Sequence, residues 1–214
     1  MNRKEFEDYL NKSSKKILEK IEECYSVFLS VEQKNKLAEY KNKNFIVVQE
    51  SSIYRNKKPE YPIDKKVPFA HSTKSFNDGL VHFYPEEHIE RFNEQEMNIY
   101  EVSVGVLIHE IFHIFIQPVS TNLDTKLKIA IEEGMVDFMT RDFCGKCGIN
   151  YNSGYEKHAS FIYDALGKVL KDDNEIMKNI FSIKEEELTN LLLKNNINIE
   201  SLLNEHLDSK SKKI

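Results

Sequence analysis

The most informative stretch of the sequence reads Val106-Leu-Ile-His109-Glu110-Ile-Phe-His113-Ile-Phe115. Its other positions are almost all apolar, which predicts a buried helix over residues 100–116. Residues four apart lie on one face of a helix, so the imidazoles of His109 and His113 can bind one metal ion. Glu110 lies beside that face and can accept a proton from water at the ion. Because unpaired buried polar groups are costly, the pattern favours a shared role for the three side chains.

A third metal ligand is expected on the following helix. Catalytic zinc sites have three protein ligands and an open fourth position. Glu133 follows His113 by twenty residues, and Asp137 lies one turn further along the same helix face. There the Asp137 carboxylate can accept the second ring N–H of a motif histidine. Glu132 is the alternative ligand, but the residue one turn beyond it is the apolar Val136, so the spacing favours Glu133.

This pattern resembles that of the gluzincins, the thermolysin-like branch of the zinc metallopeptidases. The resemblance covers residues 108–137, and the short chain points to the compact members called minimal gluzincins. It implies a zincin-like α+β fold and one Zn²⁺ ion held by His109, His113 and Glu133. It also implies that Glu110 activates water as general base and that Asp137 supports a ligand histidine.

Gluzincins stabilise the oxyanion of the tetrahedral intermediate with a Tyr or His from the C-terminal part of the chain. We assign this role to Tyr155, because it follows Gly154 at the start of a predicted helix, where its side chain can turn back towards the metal. No motif distinguishes it from three neighbouring aromatic residues, which remain alternatives: Tyr151, His158 and Tyr163.

In zincins the strand before the active-site helix pairs with an extended substrate through main-chain hydrogen bonds. The segment Gly79-Leu80-Val81-His82-Phe83 occupies that position in this sequence. The resemblance therefore predicts that this segment is a sheet edge that binds substrate. An ordinary strand within the sheet is the alternative.

The remaining chain predicts an α+β lobe followed by a helical lobe, together forming one catalytic unit. The N-terminal lobe, residues 1–118, combines two initial helices, a capping box at Ser30 and Gln33, a small sheet and the motif helix. Its residues 51–76 are rich in turn residues and predict irregular chain with at most one short strand. The C-terminal lobe, residues 119–214, carries the third ligand on the first of its predicted helices, which are 121–143, 152–170, 174–181, 184–194 and 197–206.

Composition excludes several classes of protein. The chain has 214 residues, 40% of them hydrophobic, which suits one folded unit rather than a disordered chain. A net charge of −5 with only four arginines argues against a nucleic-acid partner. No apolar run reaches the roughly 18 residues of a membrane span, so no membrane partner is expected.

Cysteine usage and the N-terminus suggest a cytoplasmic protein. Three cysteines are too few for a disulfide framework, and the charged first 22 residues lack the apolar core of a secretory signal. Cys144 and Cys147 form a CxxC pair, for which free thiols at a turn are favoured over half a zinc site or a redox pair. Export by a route without a signal remains an alternative.

The activity implied by the resemblance is zinc-dependent hydrolysis of a peptide or protein substrate. No Gly-x-Met-Glu-Asn segment, with which aminopeptidase relatives hold the substrate amine, precedes His109, so an endopeptidase is favoured. Two alternatives stay open. One is a regulatory peptidase of narrow specificity that acts on one partner protein, and the other is a non-catalytic binding module in which zinc only stabilises the fold. The sequence indicates neither the natural substrate nor the oligomeric state.

Overall fold

The sequence folds into an α+β structure that is mostly helical, as its hydrophobic periodicity predicts. The computed structural model describes residues 1–71, 78–116, 125–152, 154–170, 172–182 and 185–208. Within these ranges the helices are α1 (Arg3–Tyr25), α2 (Val31–Lys41), α3 (Ser51–Lys57), α4 (Ile89–Glu94), α5 (Ile99–Phe115), α6 (Thr125–Cys147), α7 (Glu156–Gly167), α8 (Asp173–Ser182), α9 (Glu185–Lys194) and α10 (Ile199–Asp208). The strands are β1 (Ile46–Val48), β2 (Ala70–His71) and β3 (Val81–Phe83), and a 3-10 turn spans Glu86–His88.

The helix α3 corrects one expectation, because Ser51–Lys57 was predicted to be irregular. A helix of 7 residues is too short to be stable from propensity alone, so its stability comes from tertiary contacts. Arg55 donates hydrogen bonds to both carboxylate oxygens of Glu87, at 3.0 and 3.2 Å, and Tyr54 is buried in a small apolar cluster. These contacts join positions far apart in the sequence, and a search for local periodicity cannot find them.

The chain divides into two compact units. One comprises Met1–Cys24 and Lys34–Ile114, and the other Tyr25–Gln33 and Phe115–Ile214. Residues 25–33, predicted within the N-terminal lobe, belong to the second unit. There the side-chain amide of Gln33 donates to the carbonyl oxygens of Phe115 and Phe181, at 2.7 and 2.9 Å. The predicted lobe boundary at residue 118 and the predicted start of α6 at residue 121 lie outside the described residues.

The predicted capping box at the start of α2 is confirmed. The backbone N–H of Ser30 donates to Oε1 of Gln33 at 2.8 Å, and the backbone N–H of Gln33 donates to Oγ of Ser30 at 3.2 Å. Each side chain satisfies a donor that a helix N-terminus would otherwise leave unpaired. Residues 30 and 33 thus fix where the second helix begins.

The sheet of the first unit has the order β1-β3-β2, which makes β3 its central strand. β1 pairs with β3 in parallel, and β2 pairs with β3 in antiparallel. The expectation that Gly79–Phe83 forms a substrate-binding sheet edge is therefore wrong. Both sides of the strand are already used: Val81 N–H donates to the Phe45 carbonyl at 2.8 Å, and Tyr84 N–H donates to the Phe69 carbonyl at 2.9 Å.

The outer edge of β1 is closed by side chains of α1. The Asn11 side chain accepts from the N–H of Phe45 at 3.1 Å and of Ile46 at 3.2 Å, and donates to the Ile46 carbonyl at 2.9 Å. One turn earlier, Glu7 accepts from the Val48 N–H at 3.0 Å. These side chains take the place of a further strand and satisfy an edge that would otherwise be open to pairing.

Replacing Asn11 with Ala should lower the free energy of unfolding by about 2–4 kcal/mol, because it leaves backbone groups of a buried strand without partners. Urea unfolding followed by circular dichroism measures the change. Asn42→Ala is the matched control, since the exposed Asn42 donates one hydrogen bond to the Ala38 carbonyl at 2.9 Å. Equal midpoints for the two variants would contradict a structural role for Asn11.

Aromatic contacts of Phe6 connect α1 to both the sheet and the motif helix. The Phe6 ring meets Phe83 of β3 edge-on at 6.3 Å and Tyr100 of α5 edge-on at 5.3 Å. Phe6 has no exposed surface, and Leu107 and Phe112 on α5 are equally buried. The first turn of α5 is therefore anchored to the sheet through apolar packing, which orients the histidines that follow it.

In the second unit, α6 and α7 approach closely at Gly134. A Cβ at this position would lie 2.5 Å from the His158 carbonyl oxygen and 2.6 Å from Cγ1 of Ile162. Only a residue without a side chain allows this approach. The contact sets the register of α7 on α6, and so decides which α7 side chains lie near Glu133.

Two further observations concern cysteines and membrane spans. All three cysteines are free, and burial raises the pKa of Cys144 to about 12, so this thiol is protonated and unreactive at neutral pH. In the described part of the chain, no helix combines the length and the apolar character needed to cross a bilayer.

Candidate metal centre

His109 and His113 lie one turn apart on α5 and direct the same ring atom to one point. Their Nε2 atoms are 3.3 Å apart, and each residue is 5% exposed. Two nitrogens at 2.0–2.1 Å from a tetrahedrally coordinated zinc ion lie about 3.3 Å apart. The pair therefore has the separation that a shared ion requires.

Glu133 of α6 completes a group of three. One ligand atom from each of His109, His113 and Glu133 lies within 4.8 Å of the others, and such a group can hold a metal ion. Among the described residues, no second group of three or more His, Cys, Asp or Glu side chains has this property. The group contains Glu133 and not Glu132, in agreement with the choice made from the i,i+4 spacing.

Glu110 follows His109 on α5 and is 8% exposed. Ile108 and Ile111, on the same turn of α5, have no exposed surface. A buried carboxylate beside a ligand histidine is placed to interact with a cation held by that histidine. The position fits the predicted role of a general base next to the ligand pair.

Asp137 lies one turn beyond Glu133 and is fully buried. Its Oδ2 accepts from Nε of Arg141 at 2.7 Å, and its Oδ1 accepts from the hydroxyl of Tyr151 at 2.8 Å. Support of a ligand histidine by Asp137 stays a prediction. Arg141 is absent from the residues predicted for the site, although its i+4 spacing from Asp137 is a signal visible in the sequence. The sequence predicts Tyr151 only as an alternative oxyanion donor, and nothing in the local sequence links it to Asp137.

Tyr155 is the residue at the N-cap position of α7, and its side chain makes no capping hydrogen bond. It is 36% exposed, and its ring contacts the His158 ring edge-on at 5.6 Å. Its oxyanion role stays a prediction. His158 is the alternative that the second unit brings near the carboxylates of α6. Burial lowers the pKa of His158, and the charges of Glu133 and Asp137 partly oppose this shift.

The His158 Nδ1 atom is buried, and no group in the described part of the chain forms a hydrogen bond with it. Buried polar atoms are usually hydrogen-bonded, so this nitrogen can still take a partner. The predicted alternatives Tyr151 and Tyr163 have other partners: the Tyr151 hydroxyl bonds Asp137, and the Tyr163 hydroxyl donates to Asp173 at 3.4 Å.

Comparison of the chain with protein-family models, with curated proteins and with solved structures gives no match.

Proposed function

We propose that this protein is a zinc-dependent peptidase of the gluzincin type with a zincin-like fold. The observation that carries the proposal is the convergence of His109, His113 and Glu133 within 4.8 Å. Two imidazole nitrogens with one carboxylate oxygen form a donor set typical of catalytic zinc, which leaves a fourth position open. The buried Glu110 next to the first histidine supports a catalytic over a purely structural role for the ion.

When bound, zinc would supply Lewis acidity, lowering the pKa of a water molecule towards about 7 and polarising the scissile carbonyl. Glu110 accepts the proton of the attacking water and delivers it to the leaving nitrogen, so the carboxylate is regenerated in each cycle. A donor from the second unit stabilises the oxyanion. Tyr155 is the residue assigned from the resemblance, and His158 is favoured as its alternative by its buried Nδ1 atom.

The substrate is a peptide or protein cleaved internally, since no segment for holding a free amine precedes His109. Because β3 is central and α1 closes β1, the strand that offers an outer edge within the described residues is β2. We assign main-chain pairing with the substrate to Ala70–His71. The three free cysteines fit a reducing compartment, for which we propose the cytoplasm.

Two measurements on the purified protein test this proposal. Elemental analysis after metal reconstitution should give about one equivalent of zinc. Incubation with a mixed peptide library should then give internal cleavage products that disappear with a chelator. Less than about half an equivalent of zinc would refute the site. Full zinc occupancy without cleavage of the library would leave two functions to compare: cleavage of a single partner protein, and a structural zinc module.

Glu133→Ala should reduce zinc content below about a tenth of the wild-type value under dialysis against a weak chelator, because two ligands hold zinc far less tightly than three. Glu132→Ala is the matched control, since it removes a neighbouring carboxylate of equal charge from the same helix turn, and it should retain full zinc. The opposite pattern would move the third ligand by one residue. Atomic absorption on both variants gives the answer.

A further inference from the structure

The buried Asp137 carboxylate is held by two donors from its own unit. Arg141 Nε lies 2.7 Å from Oδ2, and the Tyr151 hydroxyl lies 2.8 Å from Oδ1, so each oxygen accepts from a different residue. A buried charge requires such partners to be tolerated. Two donors on separate oxygens also fix the rotation of the carboxylate plane, which one donor would leave free.

The end of α6 explains how Tyr151 reaches this carboxylate. The helix ends at Cys147, Gly148 takes a left-handed conformation with φ +64°, and the Ile149 N–H donates back to the Cys144 carbonyl at 2.9 Å. This reversal of the chain is a glycine-terminated helix C-cap. It returns the Tyr151 ring towards α6, where the Arg141 guanidinium carbon lies 5.8 Å from the ring centroid. Tyr151 is therefore fixed by a defined backbone turn.

We propose that Arg141 and Tyr151 are positioning residues that orient Asp137 towards the metal ligands and thereby set the metal affinity of the site. This inference rests on the proposed function. Each carboxylate oxygen has two lone-pair sites, so the two donors still leave room for a ring N–H. A carboxylate oriented in this way fixes the tautomer of a ligand histidine and makes its imidazole a better donor to the metal.

Zinc affinity measured by competition with a chromophoric chelator, at fixed pH, tests the inference. Tyr151→Phe and Arg141→Gln should each weaken zinc binding by about tenfold, the lower end of the range for residues that support metal ligands. Tyr61→Phe and Arg91→Gln are matched controls in the first unit and should bind zinc like the wild type. The Tyr61 hydroxyl donates to the Lys66 carbonyl at 2.8 Å, and Arg91 is exposed.

A double-mutant cycle with Asp137→Asn separates positioning from a general loss of stability. If Tyr151 acts through Asp137, Tyr151→Phe should have little further effect on zinc affinity in the Asp137→Asn background. The visible absorption of Co²⁺-substituted protein should also change in Tyr151→Phe and stay unchanged in Tyr61→Phe, because it reports the geometry of the ligands.

Failure of the metal site and failure of the positioning role give different results. A wild-type protein that binds no zinc refutes the metal site, and this inference with it. A wild type that binds zinc, together with a Tyr151→Phe variant of equal affinity, refutes the positioning role alone. Equal losses of affinity from Tyr151→Phe with and without Asp137 also refute it, since the hydroxyl would then act by another route.

Discussion

Glu110→Gln should reduce peptide cleavage by about 10³-fold while zinc content stays at the wild-type level. The substitution keeps the size and the hydrogen-bonding shape of the side chain but removes its ability to accept a proton. Glu110 is 8% exposed, so bulk water has little access to replace the carboxylate as proton acceptor. The loss should appear in kcat more than in KM, because the lost interaction acts in the transition state.

Glu101→Gln is the matched control, since Glu101 lies in the first turn of the same helix and is exposed. It should leave cleavage and zinc content unchanged. Zinc analysis and library cleavage on the same preparations separate the outcomes. Cleavage that survives Glu110→Gln would show that another group is the base. If neither the library nor any partner protein is cleaved by the wild type, the structural zinc module is the better description.

Gly134→Ala should lower the free energy of unfolding by about 2–3 kcal/mol, despite the higher helix propensity of alanine. The added methyl group would lie 2.5 Å from the His158 carbonyl oxygen and 2.6 Å from Ile162 Cγ1. One of these neighbours belongs to the backbone, so α7 has to move away from α6 as a whole. Because this contact also sets the position of His158 near Glu133, zinc affinity should fall in the same variant.

Gly145→Ala is the matched control on the same helix. A Cβ there meets no atom within 4 Å, so the helix propensity of alanine should stabilise this variant by up to about 1 kcal/mol. Thermal and urea unfolding of the two variants should therefore change in opposite directions. A Gly134→Ala protein as stable as the wild type would show that α7 can move away from α6 without loss of stability. The contact at Gly134 would then not determine the position of His158.

Local features of the sequence predict most of the secondary structure. Ser30 and Gln33 identify the start of α2, the β-branched residues around Ile46 and Val81 identify β1 and β3, and apolar periodicity identifies α5. In each case, the interactions that stabilise the element join residues close together in the chain, or follow from the period of the helix or strand itself. The helix Ser51–Lys57 was not predicted, because it depends on partners distant in the sequence, such as Glu87.

The order of the strands was not predictable in the same way. A strand in the centre of a sheet and one at its edge can have the same sequence, since both alternate side chains and both use backbone hydrogen bonds. The position of β3 depends on which segments pair with it. Residues 51–76 were expected to hold at most one short strand, which is β2, but nothing in the sequence indicated that it pairs with β3. Asn11 closes the edge of β1 across 35 positions of sequence, a contact that no spacing rule indicates.

The sequence by itself determined the candidate ligands of the metal centre. Spacing of four residues on a helix aligns His109 with His113, and the same spacing relates Glu133 to Asp137, because the helix period fixes which side chains share a face. The tertiary structure alone decided what supports them. Arg141 and Tyr151 donate hydrogen bonds to Asp137. Gly134 allows α7 to pack closely on α6, and His158 lies near the carboxylates of α6. Such contacts depend on how helices pack and how the chain reverses after Cys147, and neither is encoded in a local repeat.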